Sequence, residues 1–149
     1  MFSQTNKTQL IAICLSLNLI FWTNFLMADC FCNYTEVKVT KVTDEGVLLI
    51  KQSGQIKKLT LHNLVMPRVV NPKNDSKWCE AESRAAVAAK LFIENVLSKA
   101  SSITIDEKET EPQGDLKAIV YFDNISLNKE LKYKYLAYDI GETTKWCQP

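Results

Sequence analysis

Residues 36–61 read EVKVTKVTDEGVLLIKQSGQIKKLTL, and this stretch decides the fold. Three extended runs in it place β-branched or apolar residues among polar ones, as half-buried strands do. The runs cover residues 36–42, 47–51 and 55–61. Asp44-Glu45-Gly46 and Ser53-Gly54 separate them, and these residue types favour tight turns. The sequence therefore predicts a meander of three strands.

A long helix is predicted to follow the meander. Residues 79–99 repeat Ala, Val, Leu, Ile and Phe at helical spacing, and acidic residues stand in the first turn. Asn74-Asp75-Ser76 precedes this segment and offers side chains that favour the N-cap position. We expect the helix to pack one face against the strands.

The last third of the chain predicts two more strands and a short helix. Residues 102–105 and 117–122 are apolar runs, and the acidic run 106–111 between them is expected to form an exposed loop. Ser126 is a candidate N-cap for a helix that carries Leu127, Leu131 and Tyr135, and we expect Tyr135 to lie in the core. This order predicts an α+β fold in which five strands form a small Greek-key barrel of the OB type.

Composition excludes several classes of protein. The chain has 149 residues, the size of one domain, so a two-domain enzyme is not expected. Hydrophobic residues make up 46% and charged residues 23%, which is ordinary globular usage rather than that of disordered or fibrous chains. A formal charge of +1 provides no general attraction to nucleic acid or to anionic membranes.

The N-terminal segment predicts export. Residues 10–27 are apolar or uncharged, Lys7 is the only charge before them, and Ala28 is a small residue at the expected cleavage point. Residues 1–28 are therefore predicted to be a signal peptide of a periplasmic or secreted protein. The alternative is an uncleaved anchor, in which residues 10–27 hold the protein in a membrane.

Four cysteines follow the leader, an even number that predicts disulfides in an exported chain. They are Cys30, Cys32, Cys79 and Cys147. Three connectivities exist for four cysteines, although a bond between Cys30 and Cys32 would be strained. A zinc site is not expected, because His62 is the only histidine and paired C-x-x-C spacing is missing. We interpret His62, at a strand end, as structural.

The element order and a set of short motifs resemble the staphylococcal nuclease (thermonuclease-like) family. The motifs are Gly54-Gln55, Leu59-Thr60-Leu61, Pro67, Lys77-Trp78-Cys79-Glu80-Ala81-Glu82, Gly114, Lys117-Ala118-Ile119-Val120-Tyr121 and Ser126-Leu127-Asn128. The resemblance covers residues 36–147 and implies an SNase-like OB-fold domain over residues 33–147. It implies a five-stranded OB-fold β-barrel with two to three packed helices. Active members of the family are calcium-dependent phosphodiesterases.

Two segments are most similar to an exported branch of that family. This branch carries K-C-x-x-E before the first helix and G-L-A-x-x-Y-D followed by a late W-C. In this chain the corresponding segments are residues 79–99 and 136–147. The resemblance implies a disulfide between Cys79 and Cys147, and we expect the neighbouring Trp78 and Trp146 to cover it.

The family's catalytic positions fall on residues that lack its chemistry. The two metal carboxylates correspond to Gly46 and Val65, the two arginines to Thr60 and Asp115, and the general-base Glu to Arg68. Hydrolysis of a phosphodiester needs a held cation, a base and cationic donors. The resemblance therefore implies a fold without phosphodiesterase activity, with no catalytic residue and no metal site.

Two functions follow from this reasoning. The favoured one is a non-catalytic exported module that binds or assembles with a protein partner and needs no cofactor. The alternative is a calcium-dependent or rewired nuclease acting on DNA or RNA. It would require a one-residue slip that brings Asp44 or Glu45 to the metal position, with Lys57 or Lys58 replacing one cation.

Nucleic-acid binding without cleavage is a weaker hypothesis. An OB barrel binds single strands through a basic groove and stacking aromatics. The candidate residues are Lys51, Lys57, Lys58, Lys132, Lys134, Tyr133 and Tyr135. The favoured interpretation is that these lysines are solvated, and contact with a membrane is expected only through an uncleaved N-terminal segment.

Overall fold

The computed structural model describes residues 34–71 and 74–148, which form a strongly curled mixed sheet with two helices. The architecture is α+β, as the sequence predicts. The proposed leader, with Cys30 and Cys32, lies outside the described residues, so the predictions made for it stay predictions. Over the described ranges, no helix is both long enough and apolar enough to cross a bilayer.

The structure has more strand segments than the five predicted. In chain order the elements are β1 (Tyr34–Glu36), β2 (Lys38–Val42), β3 (Leu48–Gln52), β4 (Gln55–Leu61), β5 (Leu64–Val65), α1 (Glu80–Lys99), β6 (Ile103–Thr110), β7 (Leu116–Phe122), β8 (Ile125–Ser126), α2 (Leu127–Tyr133) and β9 (Tyr138–Asp139). Each predicted strand overlaps an observed one. The strands that the sequence did not predict are short; β1, β5 and β9 pair with segments distant in the chain, whereas β8 forms a tight hairpin with β7.

The sheet curls because the strands at its two ends, β1 and β2, belong to one continuous stretch of chain. The strand order is β1-β6-β7-β4-β3-β2, with β8 beside β7, and β5 pairs with β9 separately. All neighbours are antiparallel except β4 and β7. Only Val37 separates β1 from β2, and its backbone N–H donates to the carbonyl of Ile103 at 3.0 Å. The two ends of the strand order are therefore continuous in the chain.

The core lies between the concave face of the sheet and α1. Alternate residues of the strands point inward, among them Leu48, Ile50 and Leu59, which are fully buried. Ile93 of α1 meets this cluster and is also fully buried. Burying one such side chain contributes roughly 1.5–3 kcal/mol, so this face of α1 fixes the helix to the sheet.

The predicted N-cap of α1 is wrong. Helix α1 begins at Glu80, and the N-cap is Cys79, whose Sγ accepts a hydrogen bond from the backbone N–H of Glu82 at 3.4 Å. Asp75 instead accepts from the backbone N–H of Lys77 at 2.9 Å and from Arg68 Nη1 at 2.8 Å. The side chain expected to start the helix is therefore used in a turn before it.

The acidic run 106–111 is a strand for most of its length, which contradicts the predicted loop. Strand β6 continues to Thr110, and Glu109 lies opposite Lys117 of β7. Their side chains form an ion pair of 3.0 Å. Opposite charges across two strands stabilise the pairing, so a charge run can form a solvated sheet face.

Helix α2 starts as predicted and ends earlier. The Ser126 hydroxyl accepts from the backbone N–H of Lys129 at 3.3 Å, which confirms the predicted N-cap. The helix ends at Tyr133, and two backbone hydrogen bonds close it, Leu136 N to Leu131 O and Tyr135 N to Lys132 O, both at 2.9 Å. This is a Schellman closure with Tyr135 at the position that glycine usually takes. Tyr135 has φ +56° and is 66% exposed, so its predicted place in the core is wrong.

Candidate functional site

The two positions implied to bind metal lie close together but offer no ligand. Gly46 is buried in the turn after β2, with φ +74°. A Cβ built on Gly46 would lie 2.8 Å from the terminal methyl of Met66, the residue after Val65. Calcium takes oxygen ligands, and a thioether with an aliphatic neighbour supplies none. The side chain of Met66 therefore fills the space beside Gly46.

Arg68, at the general-base position, is held in a cluster of carboxylates. Its Nε and Nη2 donate to Glu82 Oε1 and Oε2 at 2.7 and 3.1 Å, and its Nη1 donates to Asp75 Oδ2 at 2.8 Å. The Glu82 side chain is only 5% exposed. Hydrogen bonds that Arg68 donates to Glu82, and then to Asp75, raise the pKa of Arg68 above its ordinary value. Arg68 is therefore a permanent cation that joins the segment after β5 to α1, and it cannot act as a base.

Thr60 and Asp115 lie along the seam between β4 and β7. Thr60 is exposed on β4 and is in register with Lys117 of β7. Asp115 precedes β7, and its Oδ1 accepts from the backbone N–H of Lys58 at 3.2 Å. These two positions thus carry a hydroxyl and a carboxylate where the family's chemistry requires guanidinium groups.

Lys117, the cation beside Thr60, is already neutralised. Its Nζ lies 3.0 Å from Glu109 Oε2 and 3.5 Å from Glu111 Oε1. The hydrogen bond and charge of Glu109 raise the pKa of Lys117, and the hydrogen bond and charge of Lys117 lower that of Glu109. The seam therefore presents little unpaired positive charge to a phosphate.

Two of the four groups that could rescue the family chemistry, Asp44 and Lys57, are engaged elsewhere. Asp44 Oδ1 contacts Lys90 Nζ of α1 at 2.6 Å, a hydrogen bond that lowers the pKa of Asp44 and raises that of Lys90. Lys57 Nζ donates to Gln52 Oε1 at 2.9 Å. Across residues 34–71 and 74–148, no cluster of three or more His, Cys, Asp or Glu side chains is arranged to hold a metal ion.

Sequence reasoning missed Glu82 as the partner of Arg68. Glu82 lies on the same buried face of α1 as Ala86, Ala89 and Ile93. A carboxylate on an apolar helix face needs a buried partner, and that periodicity is the signal that could have found it. The partner's identity depends on the path of the chain after β5, which no local pattern predicts.

A cleft of about 560 Å³ lies away from these positions, between the end of α2 and the segment around β9. Its walls include Tyr133, Tyr135, Tyr138, Lys132, Asp139 and Glu142. Lys132 Nζ contacts Asp139 Oδ2 at 2.7 Å, and the Asp139 backbone N–H donates to Glu142 Oε2 at 3.1 Å. A second cavity of about 240 Å³ shares Lys132 and Asp139 with the cleft.

The C-terminal segment that forms one wall of the cleft is fixed to the rest of the fold. The structure contains the disulfide between Cys79 and Cys147 that the resemblance implies. Trp146 donates from Nε1 to the carbonyl of Tyr135 at 2.9 Å. Its ring packs edge-on against the ring of Tyr138, with 4.9 Å between the ring centroids. Trp78, on the other side of the disulfide, donates to the carbonyl of Arg68 at 3.1 Å. The tryptophans thus hydrogen-bond to segments beside the cleft and the Arg68 cluster.

No protein-family model matches the chain, and no curated protein matches it.

Proposed function

We propose that this chain is a staphylococcal-nuclease-like OB barrel that has lost phosphodiesterase activity and serves as a binding or assembly module. The strand order supports the OB part of this proposal. Three features of the sheet are typical of an OB barrel. They are the meander of β2, β3 and β4, the parallel pairing of β4 with β7, and the first stretch of chain, which pairs with β6 through β1 and with β3 through β2.

The environment of Gly46 carries the proposed loss of activity. A divalent ion at this position would need carboxylate or carbonyl oxygens within about 2.6 Å. Instead, the Met66 methyl lies where even a Cβ on Gly46 would crowd it. A bound calcium ion would therefore have to displace an apolar side chain and would gain no side-chain ligand from Gly46 or Val65.

Arg68 and Asp115 fail to meet the other two requirements of phosphodiester hydrolysis, a general base and a cationic donor. A water nucleophile needs a base, and Arg68 stays protonated against Glu82 and Asp75. Charge that builds on a phosphate needs a cationic donor, and Asp115 supplies a negative charge instead. The two substitutions act against hydrolysis independently of the metal position.

A nuclease assay tests the proposal directly. We expect the purified chain to leave single-stranded DNA and RNA intact in millimolar calcium, beside an active calcium-dependent nuclease as positive control. We also expect calcium to leave the melting temperature unchanged, because a ligand that binds only the folded state would raise it. Cleavage that a chelator abolishes would contradict the proposal and support the rewired nuclease.

The partner is proposed to be a protein. Val87 and Leu91 lie one turn apart on the outer face of α1 and are 49% and 60% exposed, an apolar pair that suits a protein surface better than a phosphate backbone. Oligonucleotide binding would weaken steeply with salt. We therefore expect no salt-dependent anisotropy change with labelled oligothymidine, and a change that disappears at high salt would support a nucleic-acid partner instead.

Export is proposed from the leader alone. We expect the chain isolated from its native host to begin after Ala28, and intact-mass measurement with and without reductant reports both the cleavage and the number of disulfides. A mass that includes residues 1–28 would support the membrane-anchored alternative.

A further inference from the structure

Tyr135 carries a large aromatic side chain in a backbone conformation that disfavours large side chains. It occupies the glycine position of the Schellman closure with φ +56°, where a bulky side chain is strained. Burial of the ring does not compensate for this strain, since Tyr135 is 66% exposed. Strained residues of this kind cluster at functional sites, so the ring needs a role outside the fold.

That ring lines the cleft beside a second exposed tyrosine. Tyr133 is 80% exposed and lines the same cleft, and Tyr138 forms a buried part of its wall against Trp146. The volume of about 560 Å³ falls within the range of small-molecule sites. Two tyrosine rings in water at one cleft provide apolar faces with polar tips, the combination that binding sites use.

The charges of the cleft indicate which class of ligand it takes. The ionisable side chains that line it besides tyrosine are Lys132, Lys145, Asp139 and Glu142, so its formal charge is zero. Lys132 is paired with Asp139, and Glu142 accepts from the backbone of the same residue. A polyanion such as nucleic acid would find no net attraction there. A purely apolar segment would desolvate four charged groups without compensation.

A neutral ligand that carries many hydroxyl groups satisfies both conditions. Hydroxyls donate and accept, so they can hydrogen-bond to paired acids and amines and to the tyrosine and Thr143 hydroxyls without adding charge. The C–H face of a sugar ring is apolar and can cover an exposed tyrosine ring. The neighbouring cavity extends the site, because it shares Lys132 and Asp139 with the cleft.

The second cavity adds an unused polar group. His62 lines it, and within the described part of the chain its Nδ1 atom is buried without a hydrogen-bond partner. We propose that the cleft and this cavity together bind a neutral oligosaccharide, with Tyr133 and Tyr135 as stacking platforms. This site does not depend on the proposed loss of nuclease activity.

Titration calorimetry of the full chain with neutral hexamers tests the inference. The probes are hexamers of β-1,4-glucose, β-1,4-N-acetylglucosamine, β-1,4-xylose and α-1,4-glucose, with hexagalacturonate and oligothymidine as anionic comparisons. We expect at least one neutral hexamer to bind with a Kd below about 1 mM, and the anionic probes not to bind. Binding of none of the neutral hexamers, or of the anionic probes alone, would overturn the inference.

Variants locate the binding in the cleft. Tyr135→Gly removes the ring and relieves the strain, so we expect an unchanged or higher Tm together with at least about tenfold weaker binding. Tyr133→Ala should weaken binding similarly, Tyr135→Phe should retain it, and Ile56→Ala, at a residue of β4 that is 68% exposed, should leave it unchanged. Wild-type affinity in both Tyr135→Gly and Tyr133→Ala would refute the proposed site.

Discussion

Glu82 accepts three hydrogen bonds from Arg68, one from the backbone N–H at 3.1 Å and two from the guanidinium at 2.7 and 3.1 Å. The carboxylate is almost fully buried at the start of α1, whereas the guanidinium is partly exposed. A single acid thus holds the backbone and the side chain of a residue 14 positions away. The position implied to carry the catalytic base is occupied by half of a structural ion pair.

Glu82→Gln is expected to lower the free energy of unfolding by about 2 kcal/mol, because it leaves a guanidinium without its buried counter-charge. Urea denaturation followed by circular dichroism measures the change. The matched control is Glu80→Gln, which removes an exposed ion pair with Arg84 one turn away and should cost less than about 0.5 kcal/mol. Equal costs for the two variants would contradict the structural role of Glu82.

Gly46→Ala should destabilise the fold more than Gly54→Ala. Both glycines have positive φ, so both substitutions strain the backbone by about 1 kcal/mol. Only the new Cβ at Gly46 meets Met66, at 2.8 Å, whereas space around Gly54 is open, and the overlap should add about 1 kcal/mol. Differential scanning calorimetry of both variants, and of Gly46→Ala combined with Met66→Ala, measures the overlap. Identical melting temperatures for the two single variants would show that Met66 does not fill this space.

Asn128 connects two backbone segments in the interior, and Asn128→Ala is expected to cost about 2–3 kcal/mol. Its Oδ1 accepts from the backbone N–H of Val120 and its Nδ2 donates to the carbonyl of His62, both at 3.1 Å. The alanine variant leaves the Val120 N–H buried without its acceptor. Chemical denaturation gives the value, and Asn95→Ala on the exposed face of α1 is the control, expected to be near neutral. A near-neutral Asn128→Ala would mean that water replaces the side chain.

Stability is expected to fall in acid below about pH 4.5. Hydrogen bonds from Lys117 and Lys90 lower the pKa of Glu109 and Asp44 below their ordinary values of 4.5 and 3.8. A carboxyl whose pKa is depressed by folding stabilises the folded state above its ordinary pKa, and this contribution disappears as the pH falls through the folded-state value.

The melting temperature measured from pH 6 to pH 3 checks this expectation. Glu109→Gln should reduce the decrease in Tm, because its carboxyl no longer titrates against Lys117. Glu45→Gln, in the exposed turn before Gly46, serves as the control and should follow the wild-type curve. A wild-type curve that is flat down to pH 3 would rule out these contributions.

The central elements could be predicted because local patterns specify them. The alternation in residues 36–61 needs no distant partner to indicate strands, and the apolar periodicity of α1 is long enough to define the helix within one residue. The acidic end of β6 and the two-residue strands β5 and β9 were missed. The acidic end of β6 pairs with nearby residues of β7, where opposite charges rather than apolar spacing favour the strand, whereas β5 and β9 pair with each other across a long stretch of chain.

Tyr135 shows how a correct spacing can mislead. It lies four positions after Leu131, so helical periodicity assigned both to one buried face. The Schellman closure interrupts that periodicity one residue earlier, and the usual signal for it, glycine, is missing here. Because tyrosine stands where glycine is usual, its exposed ring lines the cleft. The resemblance indicated five positions to inspect, and their residue types can be read directly from the sequence. They are Gly46, Thr60, Val65, Arg68 and Asp115. The packing of Met66 and Glu82, in contrast, could be seen only in the structure.

The continuity of β1 and β2 through Val37 has a consequence for self-association. An open sheet ends in strands whose unpaired N–H and C=O groups can template aggregation with another copy. Here the first stretch of chain bonds to β6 with one half and to β3 with the other, so the two end strands of the order are only 3 and 5 residues long. Short end strands offer few unpaired groups to another copy, and the exposed Lys38 and Lys41 of β2 add charge to that edge, so both features oppose edge-to-edge polymerisation.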